Sequence, residues 1–219
     1  GSQSQFFDQL RVRSLQHEFA TPPYWTGDIE FDPDAGKPIR LTQCEGGLLH
    51  LWCYPRSEKA LPSGLYVMGG DISTGEGITN SVISVVNAET GEKVGELATA
   101  RRPPREFAPA AAAVGWLFAT EHGDPALLAW EHCGPGQVFA ARILELNYPR
   151  IYLRESETVG AWKGGSLPGW FPTVQEKRKL LEDYRSALFA RQFINRSWLS
   201  FEECGAYYYT ADEFGQIPD

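Results

Sequence analysis

Tyr66-Val67-Met68-Gly69-Gly70-Asp71-Ile72-Ser73-Thr74-Gly75-Glu76-Gly77 is a short apolar run that meets a pair of glycines, one carboxylate, small polar residues and two more glycines. Apolar residues bounded by glycine read as a buried strand. Asp71 stands where that strand ends or bends, because Asp is poorly suited to a strand interior and its burial without a partner is costly. Two readings of Asp71 are open at this point. It is a turn residue accepting hydrogen bonds from the backbone of Ser73 or Thr74, or it is a ligand presented at a strand end.

Moving outward, Gly47 to Tyr54 reads as an apolar strand, Pro55 to Gly64 as a polar loop and Leu65 to Met68 as the next strand, so that residues 46–70 form a first hairpin. Asn80 to Val86 is β-branched and strand-like; Asn87 to Glu92 is a turn, and Lys93 to Ala98 returns. Arg101-Arg102-Pro103-Pro104-Arg105 breaks the pattern with three positive charges, a solvated loop or a phosphate contact. Phe107, Ala110, Ala111, Val114, Leu117 and Phe118 have helical spacing over Glu106–Ala119, and Gly123-Asp124-Pro125 ends it. Ala126 to Trp130 is a continuous apolar run closing on Glu131, as suits a strand buried on both faces. A helix from Gln137 to Leu146 and a short strand, Arg150 to Arg154, follow; strand–helix–strand order implies a parallel pair with a right-handed crossover. Residues 155–172 hold four glycines with Trp162, Trp170 and Phe171: a surface loop whose aromatics dock on the core, or a loop that gates substrate. Thr173-Val174-Gln175-Glu176 is a capping box opening a helix to about Gln192, and Gly205 to Thr210 reads as an aromatic strand. Residues 1–45 read as a tag remnant, Gly1-Ser2, and a turn-rich N-terminal arm or linker. The chain reads as an excised piece, cut short at its C-terminus.

The bulk numbers set limits. A chain of 219 residues has room for one good core, or one domain with a smaller appendage. Its 42% hydrophobic content, with 7 Trp, 12 Phe and 9 Tyr, is that of a folded protein. A net charge of −8 means that DNA binding requires a local basic patch or bridging metal ions. Cys44, Cys53, Cys133 and Cys204 show no zinc spacing and read as reduced thiols of a cytosolic protein. No apolar run approaches the ~18 residues of a membrane span, and no GxxxxGK[ST] loop occurs.

Asp71 and Glu131 are then two carboxylates ending two buried strands. Close together they repel unless a cation or proton lies between them. A divalent metal fits, since Mg²⁺ takes one or two carboxylates with water and phosphate oxygens; two independently capped carboxylates are the alternative. The order of these segments, Gly64–Gly75, Ser81–Val94, Leu127–Gly136, Asn147–Tyr152 and Trp170–Thr173, resembles the ribonuclease H-like fold. More narrowly it resembles the nuclease domain of the large terminase subunit of tailed bacteriophages, over residues 46–219.

The resemblance implies an α/β fold: a mixed sheet of antiparallel hairpin strands plus parallel strands, flanked by helices. It implies a metal-dependent endonuclease that cuts concatemeric double-stranded viral DNA in the host cell cytoplasm. Asp71 and Glu131 fall on the family's first two acidic positions, holding Mg²⁺ or Mn²⁺, two ions when DNA is bound. His132 stands where relatives often carry Asn. The family's third acid is expected beyond Asp219, or Asp212, Glu213 or Asp219 replaces it. DNA contacts are expected from Arg101, Arg102, Arg105, Lys163, Lys177, Arg178 and Lys179. An upstream packaging ATPase domain, a portal and a small terminase are the implied partners. Two other readings are a phosphotransferase of the actin and sugar-kinase type, from Asp71-Ile72-Ser73-Thr74-Gly75, and a non-catalytic DNA-docking module.

Overall fold

The strand predicted around Val67 forms as β4 (Tyr66–Asp71). It alternates: Tyr66 and Met68 are buried, while Val67 is half-buried and Gly69 and Asp71 are exposed. Its place in the chain and the sheet comes from a computed structural model, which describes residues 5–155, 166–212 and 215–218. Two compact units divide these residues: a larger one, Tyr24–Glu89 with Val94–Phe171, and a smaller one, Gly1–Pro23 with Thr90–Lys93 and Pro172–Asp219.

The larger unit is built on a seven-stranded sheet. Its strands are β1 (Trp25–Asp32), β2 (Lys37–Gln43), β3 (Leu49–Leu51), β4, β5 (Ser81–Asn87), β6 (Glu92–Thr99) and β7 (Leu127–Trp130), in the order β2-β1-β3-β6-β5-β4-β7. Only β4 and β7 are parallel; the other pairs are antiparallel. β1, β6, β4 and β7 therefore all run the same way, and their C-terminal ends share one edge of the sheet. The helices α2 (Pro104–Leu117) and α3 (Pro135–Glu145) pack on each other, and α2 also packs on β1, β2 and β5. Helix α2 is buried nearly all round, with Phe107 to Val114 enclosed. Small alanines let it lie close to the sheet, and Pro104 at its first position costs no hydrogen bond. The core joins Met68, Ile83, Val85, Leu97, Phe107, Leu128, Trp130 and Phe139.

Three expectations are corrected here. Residues 25–43 are not part of an arm: β1 and β2 are paired from Gly27–Gln43 to Asp32–Lys37, and β1 also pairs with β3. Nor do residues 46–70 form a hairpin. β3 bonds to β1 and to β6, through pairs such as Leu49–Leu97, and two strands separate it from β4. A long polar connection sets no register, unlike a tight turn, so the ladder partner was decided elsewhere in the chain. Finally, Arg150–Arg154 meets β7 in parallel at a single bridge, Leu128–Ile151. It then leaves as β8 (Leu153–Glu155), which pairs with β9 (Ser166–Pro168).

In the smaller unit lie α1 (Gln9–Phe19), α4 (Val174–Phe189), α5 (Trp198–Ala206), β10 (Tyr209–Asp212) and β11 (Gly215–Pro218). The capping box holds: the Thr173 N–H donates to Glu176 Oε2 at 2.6 Å and the Glu176 N–H donates to Thr173 Oγ1 at 3.2 Å. Phe6, Phe7, Val12, Leu15, Leu188, Phe201 and Cys204 form this unit's core. The aromatic strand is shorter than expected, because residues 205–206 finish α5, whose Ser197 cap the sequence reading passed over. Among the described residues no helix is long and apolar enough to cross a membrane.

Candidate metal and nucleic-acid site

Sheet register brings Asp71 and Glu131 together. Val67, Met68, Gly69 and Gly70 pair in parallel with Leu127, Leu128, Ala129 and Trp130. One further step brings Asp71 level with Glu131, on strands about 4.8 Å apart. Side chains alternate along each strand. Val67, Gly69 and Asp71 therefore share one face with Leu127, Ala129 and Glu131, opposite the face that buries Met68, Leu128 and Trp130. The carboxylates are thus side by side at the C-terminal ends of two strands, Asp71 exposed and Glu131 half-buried.

The loop after Asp71 is pinned at three points. The Ser73 N–H donates to Ser81 Oγ at 3.0 Å, and the two hydroxyls lie 3.1 Å apart. The Ser73 amide is thereby spent on Ser81, a fully buried serine, rather than on an Asp71 turn. Gly75, at φ +80°, lies so close to the backbone of Arg102 and Pro103 that a Cβ there would meet them at 2.6 Å. Gly77 N–H reaches Ala100 O at 2.8 Å. These contacts bring Arg101 and Arg102 against the Asp71 loop.

Glu131 is held from two other sides. A parallel bridge joins it to Trp170, with the Trp170 N–H donating to Trp130 O and the His132 N–H to Trp170 O, both at 2.8 Å. Trp170 thus takes the neighbouring place that Arg150–Arg154 vacates. Gly136, in the first turn of α3, sits against the Glu131 carbonyl, where a Cβ would come within 2.0 Å. His132 points the other way. Its ring stacks on Phe171 at 4.4 Å and lies near Trp130 at 6.4 Å. Burial lowers its pKa from the usual imidazole value, with the Pro168 carbonyl acting in the opposite sense. Its Nδ1 and Trp130 Nε1 are buried with no hydrogen-bond partner among the described residues. Phe171 is therefore a docked aromatic, and Trp170 is held by its backbone; Trp162 lies outside the described residues.

The expected basic residues fall on different elements. Arg105 makes a two-bond pair with Glu145, at 3.0 and 2.7 Å. Lys163 lies outside the described residues. Lys177, Arg178 and Lys179 are on α4 in the smaller unit, where Arg178 pairs with Glu182 at 3.0 Å and Lys179 with Asp183 at 2.6 Å. Both pairs have the i,i+4 spacing of a solvated helix face. Among the described residues no group of three or more His, Cys, Asp and Glu converges as a metal cage. Asp212 closes β10, and Glu213 and Asp219 lie outside the described residues. The sequence reading gave no site role to Ser81 or Gly136. Of these, only Gly136 left a local signal, following Pro135 at a helix start.

The donor set suits a hard divalent ion: two carboxylates at an open strand edge, leaving room for water and phosphate oxygens. No family model matches the chain, and no curated protein matches it in sequence. Solved structures do match in fold. The large terminase nuclease of thermophilic phage G20c with bound magnesium superposes with a TM-score of 0.60 at 15% identity, covering 100% of this chain and 88% of that one. The same nuclease with bound cobalt gives 0.57 at 16% identity, covering 90% and 88%. The large terminase nuclease domain of Thermus phage P74-26 gives 0.56 at 15% identity, covering 94% and 84%. With its mixed seven-stranded sheet flanked by helices, the chain has the fold of the large terminase nuclease domains of thermophilic phages.

Proposed function

We propose that this chain is a metal-dependent endonuclease domain of a viral DNA-packaging terminase, cutting phosphodiester bonds of double-stranded DNA. One observation carries the reading: the parallel β4–β7 register that sets Asp71 beside Glu131 at an open sheet edge. The fold shared with terminase nucleases, one of them solved both with magnesium and with cobalt, supports it. On this reading Asp71 and Glu131 hold Mg²⁺ or Mn²⁺. A bound divalent ion supplies water activation and charge neutralisation at the scissile phosphate. The chain's own work is positional. Ser81 and Gly75 fix the loop behind Asp71, and Trp170 and Gly136 fix the backbone of Glu131. Arg101 and Arg102 bring positive charge to the same edge, where a net-negative protein most needs it.

Plasmid nicking tests this. With Mg²⁺ or Mn²⁺ the wild-type chain nicks supercoiled DNA, and Asp71→Asn or Glu131→Gln lowers the rate on the order of 100-fold or more, since loss of a group that merely supports a ligand already costs about 10–100-fold. Mn²⁺ titration followed by calorimetry shows the same variants losing the ion. Nicking that needs no metal, or that survives Asp71→Asn, sinks the mechanism. DNA binding without nicking under any divalent metal favours the docking-module alternative.

A further inference from the structure

Behind the Asp71 loop, an open cleft of about 550 Å³ lies between the β1–β2 turn and the first turns of α2. Three guanidinium groups from two helices and a loop line it: Arg102, Arg105 and Arg142. Phe31 and Pro33 form an apolar wall, and Asp34 and Glu106 also line the cleft, Asp34 with its Oδ1 3.6 Å from Arg142 Nη2. Arg142 is the anchored member. Its Nη2 donates to Pro33 O at 2.8 Å, its Nη1 to Glu145 at 2.8 Å, and its side chain is only 18% exposed. Arg105 is fixed by the same Glu145. Arg102 differs from both. Its guanidinium lies 5.7 Å from the Phe31 ring, and it has no carboxylate partner among the described residues. Its backbone touches Gly75 of the Asp71 loop.

We infer that this cleft seats a backbone phosphate of the duplex, with Arg102 as the principal contact and the anchored Arg142 as a positioning residue behind it. The inference rests on the nuclease reading for its choice of DNA as the ligand. Planar guanidinium forks match phosphate oxygens, and the Arg102–Gly75 contact joins the seat to the loop that carries Asp71. Glu145 takes up Arg105 and Arg142, and Asp34 stands 3.6 Å from Arg142, so the guanidinium left open to a ligand is that of Arg102. One open guanidinium beside paired ones favours a polyanion, which gains from released counterions, over an isolated anion. Helix α3 thus contributes a residue, Arg142, that the linear sequence does not group with Arg101–Arg105.

The test is duplex binding by the 219-residue chain, read by anisotropy over a salt series without divalent metal, so that no cleavage is needed. Arg102→Ala weakens binding on the order of tenfold and reduces the slope of log affinity against log salt by about 0.9. Arg142→Lys keeps the slope but loses affinity. Arg40→Ala, which removes an equal charge from β2, changes neither. Arg102→Gln serves as a second variant should Arg102→Ala fail to reach the wild-type melting temperature. Wild-type affinity and slope in both Arg102 variants overturn the inference. So does inorganic phosphate that binds in an Arg102-dependent way while the duplex affinity stays unchanged. Nicking by the wild type separates the two readings: absent nicking with an Arg102-dependent slope retained removes the nuclease reading alone, and normal nicking with no Arg102 dependence removes this one alone.

Discussion

A single carboxylate, Glu145, shows how residue-level chemistry ties this fold together. It accepts two bonds from Arg105 of α2 and one from Arg142 of its own helix. Arg105 first, then Arg142, holds its carboxyl below the ordinary glutamate value. A folded-state pKa below the unfolded one gives stability that is complete above the unfolded value and is lost as pH falls through the folded one. Glu145→Gln should therefore be less stable than wild type at neutral pH, and the gap should narrow by about pH 3. Urea midpoints at the two pH values decide it; a gap of constant size would mean that the pair does not titrate with folding. Cys204 shows a residue effect of another kind. Burial pushes its thiol up to about 11, so it behaves as a core residue of the smaller unit rather than a reactive group.

At the scale of elements, the approach of α3 to the end of β7 is the tightest constraint on the acidic pair. Gly136 lets the helix start against the Glu131 carbonyl; a methyl group there would stand 2.0 Å from that oxygen, a backbone atom that cannot swing aside. Gly136→Ala should cost about 1–3 kcal/mol, the usual range for overpacking, and weaken Mn²⁺ binding by moving Glu131. Gly69→Ala is the comparison, since a Cβ there meets nothing within 4 Å. Thermal melts and Mn²⁺ titrations of the two variants give the answer: equal behaviour would show that the helix start does not position Glu131. Elements legible from local pattern alone were β4, β5, β6, β7, α2, α3 and the capped α4. α5 was not, because its apolar residues Trp198 and Leu199 are exposed and give little periodic contrast.

For the molecule as a whole, the larger unit depends on one layer of helices closing one face of the sheet. Phe139 is fully buried there, with its ring 5.6 Å from Trp130 and 6.2 Å from Phe107. Phe139→Ala should cost about 3–5 kcal/mol, read as a lower urea midpoint with an unchanged slope; a loss below 1 kcal/mol would mean that α3 is not part of the main core. Trp130 carries this core to the strand that ends in Glu131, so packing and the acidic pair share a support.

Much of this was written in local pattern. Apolar runs bounded by glycine located β4 and β7, and each run placed its carboxylate at a strand end. Thr173 and Glu176 announced their helix, since a cap needs only residues three apart. Partners across the sheet were another matter. A run such as Leu48-Leu49-His50-Leu51 states that a strand exists and says nothing of which strand it joins, because ladder bonds come from residues distant in sequence. Tertiary structure alone therefore set β3 beside β6, drew Trp25–Gln43 into the sheet and gave Trp170 the place beside Glu131. It also gathered Arg102, Arg105 and Arg142 into one cleft. The carboxylates were visible in the sequence; their adjacency came only from the parallel register of β4 and β7.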